Sequence, residues 1–219
     1  MTIERKLLGT SPSGGATDVA DVFSTYLYTG DYGAGTDVNG IDLAGEGGMV
    51  WFKARNYADN HTIIDTERGG TKSLASNSTS VESTANNSVT SFNSNGFTLG
   101  ADGTDGINKN TRSQVSWTFR KKKKFFDVVT YTGNGASSRA ISHGLDGPVG
   151  MMVVKRTSAT EDWTVWHKDL TGTSPFISLN STGGASTAEA IWTSTEPTST
   201  AFTVGSHDRV NTSGHTYVA

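Results

Sequence analysis

The sequence repeats itself: five segments of the first half recur, in the same order, in the second half. The offset between matched segments is about 102 to 105 residues. It changes slightly along the chain, as expected if short insertions lie in the loops. The matched pairs are Val22–Gly30 with Phe125–Gly133, Gly47–Arg55 with Val149–Arg156, His61–Asp65 with Trp163–His167, Leu74–Thr79 with Ile177–Thr182, and Phe97–Gly100 with Phe202–Gly205. This pattern predicts an internal duplication, so both copies should fold to one plan.

The patterns within each copy predict β-strands. The runs GMVWF and GMMVV are short, apolar and rich in Val and aromatic residues, which is typical of central strands. In Ser113–Arg120 the apolar Val115, Trp117 and Phe119 alternate with polar residues, which predicts a half-buried strand. Helix is expected only as isolated turns, for example where Ser186 and Glu189 would form a capping box.

The predicted fold class is all-β, with two tandem β-sandwich or jelly-roll-like domains related by the duplication. The expected boundaries are 1–19 for an N-terminal arm containing the flexible stretch SPSGG, 20–120 for the first domain, 121–124 for a basic junction and 125–219 for the second domain.

Composition excludes several classes of function. The net charge of −3 at pH 7 predicts no nucleic-acid partner, because phosphate binding normally needs a concentrated basic face. The absence of cysteine excludes disulfides, iron–sulfur clusters and cysteine nucleophiles. No apolar run reaches the roughly 18 residues that a spanning helix needs, so no membrane insertion is expected.

No pattern in the sequence points to catalysis or to a bound metal. The histidines lack the spacing of zinc sites, and there is no nucleophile elbow or phosphate-binding loop. The segment Asp102–Asn110 resembles an acidic calcium loop, but Ser113 stands where an EF-hand has its last carboxylate, and an Asp-Gly turn is the favoured interpretation. The prediction is a non-enzymatic protein without catalytic residues, cofactor or metal.

Two groups of residues are candidate surface contacts. Trp163 and His167 share one face of a predicted strand and Trp166 the other, so one tryptophan must be core. The other either stacks on a sugar ring or packs in a core or domain interface, which is the favoured alternative. The lysines Lys121, Lys122, Lys123 and Lys124 form the one concentrated positive patch, which either contacts an acidic partner or is simply a solvated junction.

Taken together, these motifs resemble an uncharacterised tandem-repeat β-domain family found in virion proteins of tailed bacteriophages, marine and cyanobacterial ones in particular. The resemblance covers nearly the whole chain. Its motifs are MTIERKLLGT at the N-terminus, the Tyr-Thr-Gly of each copy (Tyr28–Gly30 and Tyr131–Gly133), Ile141–Leu145, Pro148–Arg156, Asp162–Leu170 and Leu179–Thr182.

The resemblance implies a structural protein of the virion. A tail fibre or adhesin is expected, anchored on other virion proteins by its N-terminal arm, forming a homo-oligomer (a trimer) and contacting a host-surface glycan. The alternative is a head-associated protein that decorates or cements the capsid. A carbohydrate-active enzyme, the third possibility, would need a pair of carboxylates in a cleft.

The last strand of the second copy looks incomplete. Tyr217–Ala219 reaches only the equivalent of Val115-Ser116, and no counterparts of Trp117 and Phe119 follow. Two explanations remain open. Either the sequence is the front part of a longer fibre, which is favoured because proteins with this resemblance are usually longer, or a neighbouring subunit supplies the missing strand by β-augmentation.

Overall fold

A computed structural model describes residues 17–101 and 106–219 and builds them almost entirely from antiparallel strands. Strands account for 39% of the residues and helices for 6%, which confirms the all-β prediction. Most of the predicted arm, and residues 102–105 of the acidic segment, lie outside the described ranges. Within those ranges no helix is long and apolar enough to cross a membrane.

The first repeat contains two sheets, preceded by a 3-10 turn at Val19–Asp21. Its strands are β1 (Phe23–Thr29), β2 (Gly35–Val38), β3 (Gly48–Ala54), β4 (Thr62–Asp65), β5 (Lys72–Ala75), β6 (Ser83–Thr84), β7 (Val89–Asn93), β8 (Gly96–Leu99) and β9 (Ser113–Arg120). Six of them form a large sheet in the order β1-β9-β3-β4-β5-β6, and the other three form a small sheet in the order β2-β8-β7.

The second repeat follows the same plan. Its elements are β10 (Thr130–Thr132), β11 (Arg139–Ser142), β12 (Met151–Arg156), β13 (Thr164–His167), β14 (Pro175–Ser178), β15 (Ser186–Thr187), α1 (Glu189–Trp192), β16 (Ala201–Val204), α2 (Asp208–Asn211) and β17 (Thr216–Val218). The large sheet runs β10-β17-β12-β13-β14-β15, strand for strand the order of the first repeat, and the small sheet is β11-β16.

Two elements differ in type between the repeats: helix α1 takes the position of β7, and helix α2 has no counterpart among the described residues between β8 and β9. The predicted capping box at α1 is wrong. Ser186 pairs with Phe176 within the sheet, so it is not free to cap, and the residue at the N-cap is Ala188.

In each repeat one face of the large sheet packs against the small sheet and forms a core. In the first repeat Phe52 on β3 meets Phe97 on β8 edge to face, with ring centroids 5.3 Å apart. In the second, Trp166 on β13 belongs to the same buried cluster as Phe202 on β16. Each repeat is therefore a sandwich of one large and one small sheet.

The other faces of the two large sheets contribute to a third cluster, which joins the repeats. Its members are Met49, Trp51, Ile63 and Leu74 from the first repeat and Phe126, Val128, Val153, Trp163 and Val218 from the second. The molecule thus stacks four layers, small sheet, large sheet, large sheet, small sheet, with a core at each junction.

Strand β9 shows why this stacking matters. Its predicted alternation is present, but the prediction of a half-buried strand is wrong. The polar Gln114, Ser116 and Thr118 are fully buried inside the first sandwich. The apolar side faces the other way, where Phe119 lies 5.4 Å from Phe126, in centroid distance, at the start of the second repeat. Both faces of β9 are covered because a second repeat packs on the first.

Candidate functional site

A cavity of about 480 Å³ lies between the two repeats, within the usual size range of ligand pockets. One wall is formed by Met49, Trp51 and Ile63 of the first repeat. The opposite wall is formed by the segments 125–129 and 148–153 of the second repeat. Phe202, from the core of that repeat, also lines the cavity. The lining is mainly apolar.

The cavity exists because the large sheet of the second repeat has a gap. Strand β9 pairs with β3 over the whole of Gly48–Ala54, whereas β17 pairs with β12 only at Lys155 and Arg156. After β17, Val129 and Ala219 exchange two backbone hydrogen bonds of 2.9 Å. Beyond that pair no strand of the described chain lies between the segments 126–128 and 151–153.

His143 points a buried nitrogen at this gap. Its Nδ1 accepts a hydrogen bond from the backbone N–H of Leu145 at 3.2 Å, so in the neutral ring Nε2 carries the proton. Nε2 is buried and has no hydrogen-bond partner. His143 also lines the cavity. A buried donor left unpaired is unfavourable, and Nε2 of His143 has no acceptor within the described chain.

In the first repeat the equivalent donor has an acceptor. Asn39 takes the place of His143, since NGID (39–42) corresponds to HGLD (143–146), and its Oδ1 accepts from the N–H of Ile41 at 3.0 Å. Its Nδ2 donates to Oγ1 of Thr118 at 2.8 Å. Thr118 belongs to the part of β9 that β17 lacks. The short match between NGID and HGLD was the sequence signal for this site.

Trp163 is not on the surface, so it is unavailable for stacking on a sugar. It is only 4% exposed within the cluster that joins the repeats. Its Nε1–H donates to the backbone oxygens of Ala75 at 3.0 Å and Ser78 at 3.2 Å, both in the first repeat. Trp166 is buried as well, in the second sandwich. Interface packing, the favoured alternative, describes what Trp163 does.

His167 remains partly exposed at the end of β13, opposite Met151. Its Nδ1 accepts from the backbone N–H of Asp169 at 3.2 Å, which holds the ring in a local turn. The structure therefore does not combine His167 with Trp163 into one exposed aromatic surface.

The four lysines form a tight turn between the repeats. Lys121 pairs with Glu67 at 2.7 Å and Asp127 at 3.2 Å. Burial alone would lower the pKa of Lys121, but its hydrogen bonds to both carboxylates outweigh burial and the pKa is raised. Lys123 pairs with Asp146 at 3.2 Å. Carboxylates thus partly neutralise the patch, and only Lys122 and Lys124 remain without a salt bridge among the described residues.

A buried ion pair borders the cavity on the side of the first repeat. The guanidinium of Arg68 lies 2.6 Å from Oδ2 of Asp65 and 3.2 Å from Oε2 of Glu82, and it also donates to the backbone oxygen of Ile63. The backbone N–H of Glu82 in turn donates to the oxygen of Thr157 in the second repeat, at 2.9 Å. The sequence carried no signal for this network because Glu82 lies 14 residues beyond Arg68 and contacts Thr157 of the other repeat.

Among the described residues no three histidine or acidic side chains gather where they would hold a metal ion. Neither a curated protein nor a solved structure matches this chain. A family model does match, over residues 18–219, and so includes both repeats. The chain therefore belongs to the family described as Domain of unknown function (DUF7483).

Proposed function

We propose that this protein is a non-enzymatic structural component of a tailed-bacteriophage virion, a part of a tail fibre or adhesin. Assignment to a virion rests on the resemblance of the repeated motifs to those of phage structural proteins. The structural role is supported by one observation, the way in which the two repeats are joined.

Domains of one chain are by default joined by modest, rather polar contacts that allow relative motion. Here the contact is a core. Trp163 is buried against the first repeat, and both hydrogen bonds of its indole N–H cross the interface. Leaving Ala75 and Ser78 without that donor would be unfavourable, so the orientation of the repeats is fixed. A fixed orientation is what a fibre needs in order to hold its tip at a set position.

The proposal includes attachment through the N-terminal arm, residues 1–19, to another virion protein, and assembly as a trimer about the fibre axis. Removing residues 1–19 should leave a folded protein that fails to enter particles. Normal incorporation of the truncated chain would contradict the arm as anchor.

The location is tested by immunogold electron microscopy of particles of the phage that encodes the chain, with antibodies against the purified protein. Label at the tail supports the proposal. Label over the head would contradict it in favour of a capsid decoration protein, and unlabelled particles whose protein content lacks the chain would contradict any virion role.

A further inference from the structure

A second cavity, a polar cleft, lies between the repeats beside the ion pair of Arg68 and Glu82. Its volume is about 510 Å³, within the usual size range of ligand pockets. We propose that this cleft binds a neutral sugar through hydrogen bonds to the sugar's hydroxyl groups. Binding itself is independent of where the protein is located, and only the source of the sugar, a glycan of the host surface, rests on the proposed function.

Threonine hydroxyls cover the wall that the second repeat contributes. Thr130 and Thr132 lie two positions apart on β10, and Tyr131 between them packs against the core of the second sandwich, so both threonines face the cleft. Thr216 lies opposite Thr132 on β17, and its Oγ1 is 2.6 Å from Oγ1 of Thr157. The hydroxyls of Thr130 and Thr132 are exposed and have no hydrogen-bond partner among the described residues.

The wall that the first repeat contributes carries both signs of charge. Arg68 and Lys72 can only donate hydrogen bonds, whereas Glu67 and Glu82 can only accept them. Lys72 lies 3.7 Å from Glu82, measured from Nζ to Oε1, and it also donates to Oγ1 of Thr84 at 2.8 Å. The formal charges of the four side chains cancel, so this wall favours neither an anion nor a cation.

A sugar hydroxyl matches both walls because it donates and accepts hydrogen bonds at once. It can donate to a carboxylate, accept from Lys72 and exchange hydrogen bonds with the threonines while the ion pairs stay intact. A zwitterion such as an amino acid would have to compete with Glu82 for Arg68 and Lys72. An apolar molecule would remove polar groups from water without replacing their hydrogen bonds, which is unfavourable.

The duplication indicates that the shared fold does not require this chemistry. Apolar residues hold the equivalent positions of the other repeat: Leu27 for Thr130, Leu170 for Arg68 and Pro175 for Lys72. Both repeats nevertheless build the same large sheet, strand for strand. The polar side chains are therefore present on the two sides that meet at the cleft, as expected for a site formed by the contact between the repeats.

An amide NMR titration of the full chain with the methyl α-glycosides of glucose, galactose and mannose tests the proposal. We expect at least one of them to cause saturable shifts that map to residues 67–72, 82, 130–132, 157 and 216. The rings of Tyr131 and Tyr217 belong to the core of the second sandwich, so neither offers a face to the sugar. Hydrogen bonds alone should give weak binding, with a Kd on the order of 1 mM.

Two substitutions isolate the hydrogen bonds of the cleft. Thr132→Val removes a hydroxyl at nearly constant shape, and Lys72→Met removes a donor from a partly exposed side chain, so both variants should fold. Each should weaken binding by about 2- to 10-fold, the usual effect of one hydrogen bond. Thr29→Val, the matched change in the first repeat, should leave the affinity unchanged.

Charged sugars test the balance of charge in the cleft. The uronic acid and the 2-amino sugar of the ring that binds should both bind more weakly than the neutral glycoside. Stronger binding of either one, or of glycine, would overturn the proposal, because it would assign the cleft to an anion, a cation or a zwitterion.

Two further results would also overturn the proposal. One is the absence of saturable shifts at the cleft up to about 100 mM glycoside, far above the expected Kd. The other is equal affinity of the wild type and both cleft variants. Neither result bears on whether antibodies label the tail, so the proposed function is tested separately.

Discussion

The ammonium group of Lys155, in the second repeat, donates a hydrogen bond of 3.1 Å to the backbone oxygen of Thr79 in the first. Its second acceptor, Glu161, lies in its own repeat. Lys53 takes the same place in the first repeat, but both of its acceptors, Tyr57 and Asp59, are local. A duplicated lysine thus joins the repeats at only one of its two positions.

Lys155 makes the stability of the protein depend on pH. Burial lowers the pKa of Lys155 from 10.5 to about 8, and the nearby Glu161 carboxylate opposes this shift only in part. Between pH 8 and 10.5 the folded protein has released this proton while the unfolded chain still binds it, so stability rises with pH in that window. Below pH 8 the penalty of the buried charge is fully present.

Urea unfolding at several pH values checks this prediction. Relative to Lys155→Met, the wild type should gain up to about 1.4 kcal/mol of unfolding free energy per pH unit above pH 8. Lys53→Met serves as the matched control. Parallel pH profiles for wild type and Lys155→Met would show that the buried lysine does not titrate as described.

Substitution of Trp163 should lower the unfolding free energy more than substitution of His61, the matching residue of the first repeat. Trp163→Ala removes a large buried ring and should lower the unfolding free energy by about 3–5 kcal/mol. Trp163→Phe keeps most of the packing but removes the indole donor to the oxygens of Ala75 and Ser78, and should lower it by about 1–3 kcal/mol. The measurement is thermal or urea unfolding.

His61 is the matched control for Trp163, because its backbone N–H binds Asn77 as that of Trp163 binds Asn180. His61→Ala should change stability by less than about 1 kcal/mol, since the ring is not part of the joining core. Similar losses at the two positions would contradict the asymmetry of the interface.

The glycine of each Tyr-Thr-Gly motif is required by a close approach of two chain segments. A Cβ at Gly133 would overlap the backbone oxygen of Thr212, and the same holds for Gly30 and Lys109. Gly133→Ala should therefore lower the melting temperature by several degrees, whereas Gly150→Ala, where a Cβ has open space around it, should be nearly neutral. Equal effects would remove this explanation of the motif.

The duplication and most strands followed directly from the sequence. Short Val-rich runs and strict alternation locate strands such as β3, β12 and β9 without knowledge of their neighbours, because both signals are local. The apolar side of β9 faces the other repeat, and an alternation pattern indicates only that the two faces differ, not what covers each one. The structure had to supply that partner.

The candidate site was harder to predict, because it depends on contacts between residues far apart in the chain. The sequence favoured core or interface packing for Trp163 and left sugar stacking as the alternative, but it could not identify the acceptors at Ala75 and Ser78, which lie in the other repeat. The shortness of β17 relative to β9 was visible in the sequence. The donor of His143 became visible only when its ring was placed beside the gap.

The central claim is that the two repeats form one rigid unit. Backbone N–H residual dipolar couplings of the full chain in a weakly aligned medium test it most directly. We predict that a single alignment tensor fits the couplings of both repeats, residues 23–120 and 128–218. Separate tensors of clearly different magnitude for the two repeats would mean that they move independently, and would contradict the claim.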